Sequence, residues 1–136
     1  MFRKAKDVRR RNTPIISTAL QNTPRIVKTK HTGNIVWLTA SNEGDTTLVY
    51  SGIGPIGIQL FQEQEVSGSW KFGSWDWCGT GTQSYTIEPG QVVQLMVLFW
   101  DNDKRERMLG AFAEKGTGRS GLVVLAVEPA GQTRAD

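Results

Sequence analysis

Apolar and polar positions alternate in short runs along most of this chain, and no stretch keeps a helical period. Alternation with a period of two puts successive side chains on opposite faces of an extended strand. On this pattern, strands are expected over 25–32, 35–40, 46–51, 56–62, 70–72, 84–87, 92–100, 106–114 and 121–127. Turn chemistry separates them, as in Thr32-Gly33-Asn34, Asn42-Glu-Gly-Asp45, Ser67-Gly68 and Gly116-Thr-Gly118. In Glu88-Pro89-Gly90, proline and glycine occupy the central pair of a type II turn. The stretches 91–100, 106–115 and 120–128 are expected to form a meander, apolar side inward. Nine short strands with regular turns predict an all-β sandwich or barrel over 25–128.

Flanking segments read differently. Residues 1–24 form a flexible basic arm in this reading, with Asn12-Thr-Pro14 and Asn22-Thr-Pro24 as breakers, and 129–136 a disordered tail. Residues 1–31 hold nine Lys or Arg against Asp7 alone, a net +8. The remainder carries seven basic and twelve acidic groups, a net −5, so the basic character belongs to the front of the chain. No run approaches the roughly 20 apolar residues of a membrane-spanning helix, and no membrane association is expected. The basic start is not followed by an apolar signal core, which points to a cytoplasmic or virion-associated protein rather than a secreted one.

Motifs for chemistry are sparse. Gly52-Ile-Gly54-Pro-Ile-Gly57 matches a dinucleotide fingerprint, but Gly57-Ile-Gln-Leu-Phe61 continues as a strand and supplies no helix N-terminus for a pyrophosphate. Asp101-Asn-Asp103 with Glu106 lacks the glycine and ligand spacing of a calcium loop and reads as a charged hairpin tip. One histidine, His31, and one cysteine, Cys78, can build neither a zinc site nor a disulfide. A catalytic dyad between them would join segments far apart in sequence. Paired-carboxylate chemistry needs two acids turned inward on a cleft, and Glu63 and Glu65 read as a solvated pair near a turn. No enzyme activity, metal or cofactor is expected.

Two features remain. Trp70, Trp75 and Trp77 cluster in eight residues beside Cys78. Trp75 and Trp77 share a side of an extended chain, as do Trp70 and Phe72. Exposed, such indoles would form a stacking platform for a sugar ring; buried, they would fill the middle of a sandwich, the plainer reading. The arm carries Arg3, Lys4, Lys6, Arg9, Arg10 and Arg11. A cationic segment of this kind attracts phosphates without reading sequence, and otherwise serves as a solubilising extension.

The signals Asn42, Tyr50-Ser-Gly52, Trp77-Cys-Gly-Thr-Gly81, Pro89-Gly90, 92–99 and 107–112 follow one another in an order that resembles a group of uncharacterised bacterial immunoglobulin-like domains. The resemblance covers about two thirds of the chain. More distantly, the Pro-Gly turn and strand order are similar to the intracellular proteinase-inhibitor sandwich of bacilli. The resemblance implies an immunoglobulin-like antiparallel β-sandwich and brings no activity or ligand with it. The expected function is therefore a non-enzymatic binding or structural module for a protein partner, engaged through a sheet edge or end loop. The alternatives are a nucleic-acid-associated or capsid-like protein using the arm, and a carbohydrate-binding module using Trp70, Trp75 and Trp77.

Overall fold

Alternating apolar residues become strands because one face of each can be buried while the other stays wet. The computed structural model describes residues 19–75, 81–100 and 104–128, without the side chains at 74, 75 and 128. It contains nine strands and, among the described residues, no helix. They are β1 (Arg25–Thr32), β2 (Ile35–Ser41), β3 (Leu48–Gly52), β4 (Phe61–Val66), β5 (Ser69–Trp75), β6 (Gln83–Ile87), β7 (Val92–Leu98), β8 (Glu106–Glu114) and β9 (Ser120–Glu128).

Two antiparallel sheets result. Sheet A has the order β1-β2-β7, and sheet B has β5-β4-β8-β3-β6 with β9 added to β8. Along β8, residues 106–109 pair with β4 and 113–114 with β3, so β3 and β4 share one edge of it while β9 takes the other. The core lies between the sheets: Val36, Leu38 and Ala40 from β2, Leu95 and Val97 from β7, Leu48 and Tyr50 from β3, and Met108 and Phe112 from β8, all buried. This arrangement is all-β, open at its edges and consistent with a sandwich.

Three expectations change. The meander does not form, because β7 pairs with β2 in sheet A while β8 and β9 pair in sheet B. A period of two fixes which side chains face inward, but not which strand is the neighbour. The expected strand at 56–62 begins later, at Phe61: Ile58 and Leu60 are buried from the loop that precedes it. Glu63 is not solvated but fully buried, at 0 % exposure, and β8 brings Glu106 and Glu114 into buried positions as well.

The glycine-rich 52–57 segment is a tight loop. Ile53 N–H donates to Gly57 O at 3.0 Å, and a Cβ on Gly52 would stand 2.5 Å from that same oxygen. In the Glu88–Gln91 turn, Gln91 N–H donates to Glu88 O at 2.9 Å and Gly90 has φ of 85°, as type II geometry requires.

Candidate functional site

The outward face of sheet A follows from the register. Val36, Leu38 and Ala40 point to the core, so Ile35, Trp37, Thr39 and Ser41 point away from it. Their partners on β1 are Thr32, Lys30, Val27 and Arg25; on β7 they are Leu98, Met96, Gln94 and Val92. Among the described strand positions, this face holds two cations and no carboxylate. Arg25 has a loose exposed ion pair with Glu43 at 3.6 Å, while Lys30 has no ion pair among the described residues.

A bulge shapes the centre of the face. The register of β1 on β2 slips between Lys28 and Lys30, leaving Thr29 as the extra residue opposite Trp37. Its hydroxyl donates to Trp37 O at 3.2 Å. Bulges bend a strand and re-aim its side chains. Here Thr29, Lys30, Trp37 and Gln94 line a shallow depression on the surface. The site thus offers one half-buried indole, one ammonium, one amide and one hydroxyl. Those groups can stack on a flat ring, hydrogen-bond its edge and hold an anion, and include no nucleophile with its base.

Trp70, by contrast, lies on sheet B. It pairs in register with Glu65, and Phe72 with Glu63. The guanidinium carbons of Arg107 and Arg105 stand 4.5 and 5.1 Å from its ring centroid. Arg107 Nε donates to Glu63 Oε1 at 2.6 Å, and Nη2 lies 2.6 Å from the same oxygen without a directed hydrogen bond. Arg105 approaches Glu65 at 3.6 Å. The indole is therefore part of a neutralised ion cluster. Glu106 is held separately by Gln62, whose Nε2 donates to its carboxylate. Trp75 is paired through its backbone with Phe61. Its side chain, and Trp77 and Cys78 entirely, lie outside the described residues, as do Arg3, Lys4, Lys6, Arg9, Arg10 and Arg11, and Asp101 and Asp103.

Where the chain enters β1 it is pinned. Glu114 Oε2 accepts N–H groups from Gln21 at 2.6 Å and Asn22 at 2.8 Å, and Oε1 accepts Arg119 Nε at 3.0 Å. The Asn22 N–H first, then Arg119 and the Gln21 N–H, hold this carboxyl at a pKa of about 2 against 4.5 ordinarily, outweighing the opposing effect of burial. Asn22 Nδ2 donates to Asn42 Oδ1, and Asn42 Nδ2 in turn to Ile87 O at 2.7 Å. These groups are saturated with partners and are structural.

One further hollow, about 190 Å³, sits where β3 and β4 part along β8, lined by Val49, Ser51, Gln59, Ala111 and Ser120 among others. It falls below the roughly 300–1,000 Å³ of small-molecule sites. Among the described residues no three His, Cys, Asp or Glu side chains converge on a metal position. Sequence density does not single out Trp37. Its signal is parity: it shares odd-numbered positions with the polar Thr39 and Ser41, hence the wet side of β2.

Compared with protein-family models and with curated proteins, the chain matches none.

Proposed function

We propose that this chain is a non-enzymatic, immunoglobulin-like β-sandwich module that binds a polyanion, nucleic acid foremost, through its basic front end and sheet A. The immunoglobulin-like class is supported by strand order. The set β1-β2-β7 opposed to β3-β8-β9 corresponds to strands A-B-E opposed to C-F-G of that fold. The observation that carries the binding reading is the charge on β1. This edge strand bears Arg25, Lys28, Lys30 and His31 with no carboxylate, and seven of its eight residues are exposed.

Lysines and bulges also protect open sheet edges from pairing with other chains. The other edges limit that explanation. β7 is met by the 52–57 loop, its Met96 N–H donating to Ile56 O at 3.0 Å, while β5 and β9 each carry one bulge with only Lys71 and Glu128 for charge, and β6 has no charged residue. Edge protection in this molecule thus does not require four cationic or titratable groups on one strand. The same strand continues directly from the arm, so the net +8 of residues 1–31 is contiguous with it. A second reading, a protein partner paired along β1, is favoured by that strand's having, among the described residues, a neighbour only in β2.

The test is binding of a labelled oligonucleotide to the full chain across a salt series, with Lys28→Gln/Lys30→Gln and Arg9→Gln/Arg10→Gln/Arg11→Gln variants. Counterion release predicts that the slope of log K on log salt flattens by about 0.7 for each phosphate of a single strand that the variant no longer neutralises. No binding by the intact chain near physiological salt, or an unchanged slope in both variants, overturns the polyanion reading and leaves the protein partner.

A further inference from the structure

Resting on that polyanion reading, we infer that the outer face of sheet A, centred on Trp37, stacks an unpaired base of a single-stranded nucleic acid. Cationic segments alone are indifferent to strandedness, because they see phosphates. Single-strand binders add aromatic side chains beside the cations, on which bases stack regardless of sequence. The arm contains no aromatic residue apart from Phe2, so it cannot supply a series of stacking surfaces. The fold supplies one instead: Trp37 pairs in register with Lys30, on a face whose described strand positions hold no carboxylate.

The neighbours have the right chemistry for a base and its phosphate. Trp37 is half-buried against the sheet, which holds its ring in place at little further entropic cost. Gln94 offers both a donor and acceptors at the rim of the depression, enough to meet the edge of any base without selecting one. Lys30, made adjacent to the indole by the bulge at Thr29, supplies the charge for the phosphate. An extended acidic peptide would satisfy Lys30 as well, but would leave the indole and the amide without a flat ring to engage. A duplex keeps its bases stacked on one another and could use only the cations.

The experiment compares a fluorescein-labelled oligothymidylate, an abasic deoxyribose-phosphate strand of the same length, a duplex and polyglutamate, by anisotropy at one moderate salt concentration. The intact chain is expected to bind the oligothymidylate about ten-fold tighter than the abasic strand. Trp37→Ala should erase that preference while leaving abasic affinity unchanged. Trp37→Phe, which keeps an aromatic face and most of the packing, should retain part of it. Loss confined to the base-bearing strand is a readout that a merely structural role would not produce, and thermal melts of both variants confirm folding. Equal affinity for the two strands, or a preference that survives Trp37→Ala, overturns the stacking proposal while the polyanion reading stands. Tightest binding to the duplex or to polyglutamate also overturns it. Failure of every anion to bind sinks both readings together.

Discussion

Trp70 and Trp37 both lie beside cations on a sheet surface, yet their surroundings are opposite. At Trp70, two guanidiniums approach the ring within about 5 Å, and Glu63 and Glu65 neutralise them. At Trp37, the neighbouring Lys30 has no ion pair among the described residues, and the indole lines an open depression. The first arrangement is internally satisfied, with its cations already paired. The second retains charge and aromatic surface for something else. Proximity of an indole to a cation therefore distinguishes nothing; what counts is whether the cation's partner is already in the fold.

The largest break in this contrast comes from the buried pair. Glu63 is fully buried and Arg107 nearly so, at 8 % exposure. Replacing Arg107 by Met leaves a carboxylate in a desolvated site and should destabilise the domain by about 3–5 kcal/mol. Urea unfolding measures it. The double variant Glu63→Leu/Arg107→Met should recover most of the loss, since an apolar pair of similar volume needs no compensation. At the other tryptophan, Lys30→Met should change stability by no more than about 0.5 kcal/mol. Similar costs at the two sites would remove the contrast.

A second experiment separates the chain's entry point from both tryptophans. The Glu114 carboxyl has a folded pKa of about 2, below the 4.5 of its ordinary state. A depressed folded pKa stabilises above the unfolded value and loses its contribution as pH falls through the folded one. Stability should hold above pH 4.5 and decline progressively towards pH 2. Glu114→Gln should flatten that acid limb of the stability curve while leaving oligonucleotide binding at neutral pH unchanged. A variant with an unaltered acid limb would show that other carboxylates control it.

How much of the molecule is legible in its sequence depends on the range of the interaction. Period and turn residues place β1 and β8 to the residue, and the type II turn at Pro89-Gly90, because those are local properties. The start of β4 is not legible. Phe61-Gln-Glu-Gln-Glu-Val66 looks polar and solvated, yet its Glu63 is buried against Arg107 across the sheet, 44 residues on. The same holds for Gln62 with Glu106, also 44 apart, and for Glu114 with Asn22. Buried ions are specified by distant partners, which a strand pattern does not name. Trp37 escapes notice for a different reason. The clustered tryptophans draw attention by density, whereas an isolated indole announces its outward side only through the parity of Thr39 and Ser41.

The smallest expected effect decides whether the contrast is one of kind. Trp70→Phe keeps an aromatic ring and weakens its attraction for the two guanidiniums, costing about 0.5–1 kcal/mol by urea unfolding. It should leave the preference for a base-bearing strand over an abasic one untouched, because Trp70 offers its ring to Arg105 and Arg107 rather than to a ligand. Trp37→Phe reverses the order: little change in stability and a measurable loss of base preference. If Trp70→Phe lowers base preference as much as Trp37→Phe does, the ion cluster opens to ligand and both indoles belong to one extended surface. If only Trp37→Phe does so, neutralisation by Glu63 and Glu65 is what keeps Trp70 out of binding.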